Sequence, residues 1–306
     1  ETEKMRRILV DVQRFYLSKR GFSTTVEKTG LRAGVVDGPR ITAVKNREIA
    51  DRNSGRRPSF HTREFPQSLV DYRSENGRKA LIRSLTAGTA CQYLDLTGAY
   101  QMQSEPAYCA LTTLAVSMNA LHLDPNKIWK GGWRWFTENN LDFCSSRGSC
   151  QLIGLEEGRG LNIFDLRCVA RKNGALLKIQ IADKNNGFSE HYFREEVKKI
   201  CSTENSNSVM ISYFDRKALD QTGGGHFSPI AAYDEESDSV LVLDVARFKY
   251  PPFWATISQM CKAMEAMEPV SQRPRGFAYV THGDGKCCID DNTHNTCSVI
   301  CNTPHS

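Results

Sequence analysis

The chain has 306 residues, 40% of them hydrophobic and 25% charged, and a formal net charge of +5 at pH 7. That composition is globular, and apolar runs such as Val240–Leu243 fall well short of the roughly 18 residues a membrane span requires. The basic excess crowds into Arg6, Arg7, Arg14, Lys19 and Arg20, with a smaller cluster at Arg56 and Arg57; it forms no stripe interleaved with aromatics, so neither membrane nor nucleic acid is an expected partner.

Residues 5–22 place Ile8, Leu9, Val12, Phe15 and Tyr16 on one helical face and Arg6, Arg7 and Arg14 on the other, with Asp11 as the lone acid. An Arg-rich, acid-poor amphipathic start followed by Ser23, Thr24 and Thr25 fits a mitochondrial presequence, and fits an ordinary surface helix equally well. The expected location is mitochondrial if this leader functions and cytoplasmic otherwise. Residues 26–57 mix charge with Gly, Pro and Asn without a sustained period and read as a linker. Apolar content rises from Pro58 and falls after His282, which bounds a body at 58–282 between the leader and linker (1–57) and a polar tail (283–306).

Within the body, Asn76–Leu85 reads as a short helix. After Pro106, Leu111, Leu114, Ala115, Met118 and Leu121 recur at helical spacing until the turn signal Asp124-Pro125-Asn126. The period then changes. Phe227–Tyr233 and Val240–Val245 are β-rich runs around the polar segment Asp234–Ser239, a hairpin pattern, and Gly276–Val280 reads as a further strand. Helices first and strands later within one body indicate an α+β fold.

The eleven cysteines are an odd count, follow no secretory leader and show no regular framework, so reduced thiols are expected. Cys150, Cys168 and Cys201 are scattered and expected to be mostly buried. Cys287, Cys288, Cys297 and Cys301 instead gather in the tail beside His294. Soft thiolates suit cadmium, zinc or copper(I), so these four are candidate metal ligands. Their spacing follows no zinc-finger pattern, and a thiol-bearing tail without a fixed metal site is the competing reading.

Cys109 falls in the first turn of the helix that Pro106 opens, where free backbone N–H groups and the macrodipole favour a thiolate. His226 follows Gly223, Gly224 and Gly225 and opens the first hairpin strand; Asp244 ends the second. A hairpin loop of three residues would set His226 and Asp244 directly opposite, and a loop of five would make them diagonal neighbours on one face. An even loop would put them on opposite faces unless a bulge intervenes. Cysteine, then histidine, then a carboxylate is the chain order of papain-like enzymes: nucleophile, general base and orienting group. Gln103, six residues before the cysteine, is placed to donate to an oxyanion.

Four segments carry a resemblance: Ser104–Cys109, Trp129–Phe136, Gln221–Pro229 and Leu243–Pro252 look like signature blocks of the phytochelatin synthases, in the same order. The similarity runs from about residue 58 to about residue 282. It implies a papain-like α+β fold, with an N-terminal helical part carrying the nucleophile and a C-terminal antiparallel sheet carrying His and Asp. The implied reaction is dipeptidyl transfer: a thiolate attacks glutathione at the cysteinyl carbonyl, expels glycine, and passes γ-Glu-Cys to glutathione or a growing (γ-Glu-Cys)n-Gly chain. By block, Cys109, His226 and Asp244 take the triad roles and Gln103 the oxyanion role. Arg247 and Arg275 match family arginines and Glu268 a family acidic position, which suits the α-carboxylate and α-amine of a γ-glutamyl group. An ion pair beside Asp244 is the alternative for Arg247.

The resemblance further implies activation by cadmium, zinc or copper, largely as the metal–glutathione thiolate, and no organic cofactor. Oligomeric state is open, a homodimer among the options. The chain departs from the family pattern in carrying Ala110 after the nucleophile and Phe143-Cys144 where plant-type members often have two cysteines. The Trp129–Phe136 block is dense in aromatics, which more often cap a core than stack a ligand, and no site is assigned to it. Two other functions compete: hydrolysis of glutathione or its conjugates through the same acyl-enzyme, and non-catalytic metal buffering by thiols.

Overall fold

The computed structural model describes residues 63–143, 158, 160–202 and 207–283. The leader and linker, Cys144, Cys150 and the tail cysteines Cys287, Cys288, Cys297 and Cys301 lie outside the described residues.

Strand β1 (Val70–Asp71) is followed by helices α1 (Glu75–Ala87), α2 (Tyr93–Gly98) and α3 (Cys109–Ala120). Helix α4 (Ile163–Lys172), β2 (Ala175–Ile181), α5 (Glu190–Cys201) and β3 (Ser208–Asp215) come next. A 3-10 turn at Arg216–Leu219 leads into β4 (Gly225–Asp234), β5 (Ser239–Val242) and β6 (Phe253–Thr256). The described chain ends with α6 (Ile257–Glu265), β7 (Met267–Glu268), β8 (Arg273–Pro274) and β9 (Gly276–His282).

Seven strands form one sheet in the order β1-β6-β5-β4-β3-β9-β2, every pair antiparallel, while β7 and β8 form a separate ribbon. This is an α+β molecule, as the periodicities indicate. The expected segregation of helices before strands is only partly met, because α4, α5 and α6 alternate with strands in the second half. Both faces of the sheet are covered. One core joins α3 and α4 to Phe227, Ala231, Leu241 and Ala278, and the other joins α5 and α6 to Phe214, Ile230, Val242 and Phe277. Two-sided cover is why β4 is buried at every position after Gly225 instead of alternating with solvent. Among the described residues, no helix is long and apolar enough to cross a membrane.

Helix α3 lies in the first core, with all of its residues buried, which its uncharged composition allows. Its Asn119 side chain holds the backbone of Phe136, donating to the carbonyl at 2.8 Å and accepting from the N–H at 3.0 Å. Phe136 is buried, but Trp129, Trp133 and Trp135 stay substantially exposed, so only the end of the aromatic block caps the core.

Helix α1 begins at an N-cap, Ser74, whose hydroxyl accepts from Gly77 N. It lies so close to the end of β1 that a Cβ at Gly77 would sit 2.2 Å from Asp71 O, and the Gly77 carbonyl accepts from Trp254 Nε1 at 3.1 Å. Backbone on both sides cannot give way cheaply. Gly77→Ala is therefore expected to lower unfolding free energy by at least about 2 kcal/mol, checked by urea denaturation.

Candidate active site

Helix α3 packs on β4 through Thr113, whose hydroxyl donates to Phe227 O at 3.1 Å. Cys109 lies one turn earlier on that helical face, where the Phe227 backbone N–H is near enough to favour its thiolate form. The nucleophile candidate is thereby set beside the backbone of the residue following His226. The thiol is almost fully buried, and burial pushes its pKa up, against the Phe227 N–H and the Arg216 charge. This corrects the expectation that the helix start would lower it. A helix terminus is worth about 0.3–1 kcal/mol, whereas full burial can move a pKa by several units.

The hairpin that carries His226 and Asp244 is instructive. Asp234 pairs with Ser239, leaving a loop of four residues, 235–238, the even length that would separate the two side chains. The register then slips by one between Ala232 and Ile230, which makes Ala231 a bulge residue, and Leu243 N bonds Pro229 O in the shifted register. The slip restores the parity. His226 Nε2 lies 2.9 Å from Asp244 Oδ1, although β5 ends at Val242 and Asp244 sits just beyond it, not within the strand as expected.

Asp244 is fully buried, and its carboxylate can only accept, so His226 Nε2 carries the proton of the neutral ring and Nδ1 keeps a lone pair. Oδ1 also accepts from Ala246 N and from Arg216 Nη2, each at 2.9 Å, and Arg216 Nη2 lies 2.8 Å from Oδ2. Burial alone would raise the Asp244 pKa, yet Arg216 and the imidazole hold it well below the usual carboxylate range. The same Arg216 charge works with burial to lower His226 to about 4, overriding Asp244. Burial thus favours the uncharged form of both the imidazole and the thiol.

Arg216 and its supports carry no assignment at the level of sequence. Arg216 Nη1 donates to Gln221 Oε1, the guanidinium lies 5.3 Å from the Tyr250 ring centroid, and Lys249 Nζ donates to Thr222 O at 2.9 Å. Gln221, Lys249 and Tyr250 all fall inside the quoted sequence blocks, so a block-level signal was present. Arg216 follows an apolar strand and lies outside them.

The other expected residues are placed as follows. Gln103 Nε2 donates to Glu105 O and Pro106 O, at 2.8 and 3.1 Å, so both its hydrogens are engaged in the loop before Cys109; its buried Oε1 has no partner among the described residues. Arg247 makes no ion pair with Asp244; it lies 6.0 and 5.6 Å from the ring centroids of Tyr72 and Tyr100, and Arg216 takes the place beside the carboxylate. Arg275 is buried, donates to the Ala266 and Met267 carbonyls, stacks on Tyr213 and keeps an Nε without a partner among the described residues. That Nε would be 3.3 Å from a Cβ at Gly225, which puts it next to the start of the His226 strand. Glu268 accepts from Val270 N and Ser271 N, and lies near enough to Arg275 to feel its charge. Cys168 and Cys201 are buried, as expected. Among the described residues, no group of three or more His, Cys, Asp or Glu side chains is arranged to hold a metal ion.

Comparison with known proteins places these residues in context. A family model described as phytochelatin synthase matches residues 60–277. A Lotus japonicus protein named glutathione gamma-glutamylcysteinyltransferase 3 is 39% identical over 69% of this chain and 42% of its own length. The Schizosaccharomyces pombe glutathione gamma-glutamylcysteinyltransferase is 37% identical over 78% of this chain and 55% of its own. Arabidopsis thaliana glutathione gamma-glutamylcysteinyltransferase 2 is 37% identical over 73% and 47% respectively. The chain spans about half the length of the curated relatives it matches.

The buried neutral histidine has a consequence for stability. With the folded pKa at about 4 and the usual value at 6.5, the unfolded chain takes up the proton first on acidification. The contribution is complete above about pH 6.5 and is lost as pH falls towards 4, about 3 kcal/mol in all. His226→Gln, which keeps a donor for Asp244, is expected to remove that part of the pH dependence, measured by denaturant unfolding between pH 7 and pH 4.

Proposed function

We propose that this chain, which belongs to the phytochelatin synthase family, transfers γ-Glu-Cys from glutathione to a second glutathione or a growing (γ-Glu-Cys)n-Gly chain and releases glycine. The observation that carries the reading is the tautomer: Asp244 occupies His226 Nε2 and leaves Nδ1 as the base, on the strand that α3 presses Cys109 against. A helix bearing the candidate nucleophile, and an antiparallel sheet bearing the histidine with the carboxylate just past the end of the neighbouring strand, support a papain-like fold.

In this mechanism His226 Nδ1 takes the Cys109 proton as Sγ attacks the cysteinyl carbonyl of glutathione. The tetrahedral intermediate collapses as the imidazolium protonates the departing glycine nitrogen, leaving a γ-Glu-Cys thioester on Cys109. The α-amine of the acceptor then attacks the thioester, giving its proton to His226, and the thiol is restored. Gln103 can serve the oxyanion if the substrate displaces one of the two carbonyls its amide now holds. Arg275 with its Nε, Arg247 and Glu268 are the groups for the γ-glutamyl carboxylate and amine. Cadmium, zinc or copper enters as the metal thiolate of glutathione, as part of the substrate, and the tail cysteines are candidates to hand it over.

The test is incubation of the purified protein with glutathione, with and without cadmium, followed by mass spectrometry. Glycine together with (γ-Glu-Cys)2-Gly is expected, reduced at least about a thousandfold in Cys109→Ala. Glycine with free γ-Glu-Cys alone would make the protein a hydrolase, and absence of glycine under every metal condition would overturn both.

A further inference from the structure

We infer that Arg216 is a positioning residue of this reaction: by hydrogen-bonding Asp244 Oδ1 and lying against Oδ2 it fixes the carboxylate that orients the His226 ring, leaving Nδ1 to accept the proton of Cys109. The inference rests on the reading of Cys109 and His226 as nucleophile and base.

The geometry carries it. Arg216 is 2% exposed, so its charge is committed to the interior, and one nitrogen, Nη2, reaches Asp244 Oδ1 at 2.9 Å and Oδ2 at 2.8 Å. The guanidinium is itself held by Gln221 and the Tyr250 ring, and the Arg216 backbone is tied to Gly224 O at 3.0 Å and to Gln221 N at 2.9 Å. The carboxylate is therefore set against a fixed guanidinium nitrogen that bonds Oδ1 and neighbours Oδ2, and Oδ1 is presented to His226 Nε2 as an acceptor only. Without Arg216, Asp244 would be a buried anion whose remaining source of positive charge in contact is the ring. An imidazolium, useless as a base, would be the favoured response.

The charged groups acting on His226 are Asp244, with Lys249 from the same loop, and Arg216 from the 3-10 turn; on the α3 side, Cys109 lies by the backbone of the next residue, Phe227. Lys249 shares the sign of Arg216, but its Nζ is bonded to Thr222 O and no ion pair joins it to Asp244. Arg216 also acts on both ends of the proton transfer. Its charge favours sulfur as thiolate and disfavours the imidazolium, and a more acidic imidazolium returns its proton more readily to the glycine nitrogen.

The experiment compares Arg216→Met and Arg216→Lys with the parent, in the full chain, by the pH profile of glycine release from glutathione with cadmium. Histidine 15N spectra, recorded in a Cys109→Ala background, report the tautomer directly. Arg216→Met is expected to move the acidic limb of kcat/KM up by about one pH unit or more and to shift the His226 nitrogens towards the doubly protonated form at pH 6. Arg216→Lys keeps the charge but loses the Gln221 bond and the planar contact with Tyr250 that fix its place, so the limb stays put while kcat falls about tenfold at unchanged KM. A merely structural ion pair would lower thermal stability and the active fraction in both variants with limb, tautomer and kcat per folded molecule at parental values, and that result overturns the proposal. If Arg216→Met does not fold, a parental kcat and 15N pattern in Arg216→Lys is by itself decisive against it. Full activity in Cys109→Ala would instead sink the underlying reading, a separate and distinguishable result.

Discussion

A carboxylate with no route to water has to be balanced inside the protein, and Asp244 imposes that requirement on everything near it. Its partners are a cation from the turn after β3, a ring from the first residues of β4 and a backbone N–H from its own loop. Those three sources lie apart in the chain, so satisfying one buried charge draws the ends of two strands and the glycine-rich approach to His226 into a single arrangement. Arg216, once buried, needs company in its turn, and Gln221 and Tyr250 supply it. The same loop gains Thr222 N donating to Tyr250 Oη at 2.8 Å. The layout of the site follows from that chain of compensations more than from the strands alone.

Cys109 belongs to the other side of the arrangement. Its helix is buried throughout, and the bond from Thr113 to Phe227 and the packing of α3 on β4 bring the thiol up to the histidine strand. Burial outweighs the helix terminus at the thiol and also lowers the imidazole, so both groups are biased towards their uncharged forms.

Some of this was legible in the residues and some was not. The apolar spacing after Pro106 and the cysteine within that segment located the helix of the candidate nucleophile, and the paired β-rich runs located histidine and carboxylate on one hairpin. Whether the two would face each other could not be read, because that depends on loop length and on a bulge at Ala231, and an alanine in an apolar run carries no mark of either. Helix α5 was readable and went unread: Ser189 caps it, and Phe193, Val197 and Ile200 keep the buried spacing. Arg216 is the opposite case, since an arginine after a strand normally turns to solvent, and only the partner's burial reveals why this one does not. The tryptophans misled by their density: three of the large rings remain at the surface, and the core takes Phe136.

The bulge also divides the hairpin into two regions with unequal tolerance for change in chain length. Residues 235–238 close the turn beyond the last ladder pair, so a residue added or lost there lengthens or shortens a surface loop while both strands keep their partners. Ala231 lies between that turn and the site. Removing one residue there would rotate the first half of β4 by a strand face, carrying the imidazole away from the carboxylate and apolar side chains out of the cores they fill. Length variation in this hairpin is therefore confined to its tip, and the irregular point in the ladder is the part of it that cannot drift.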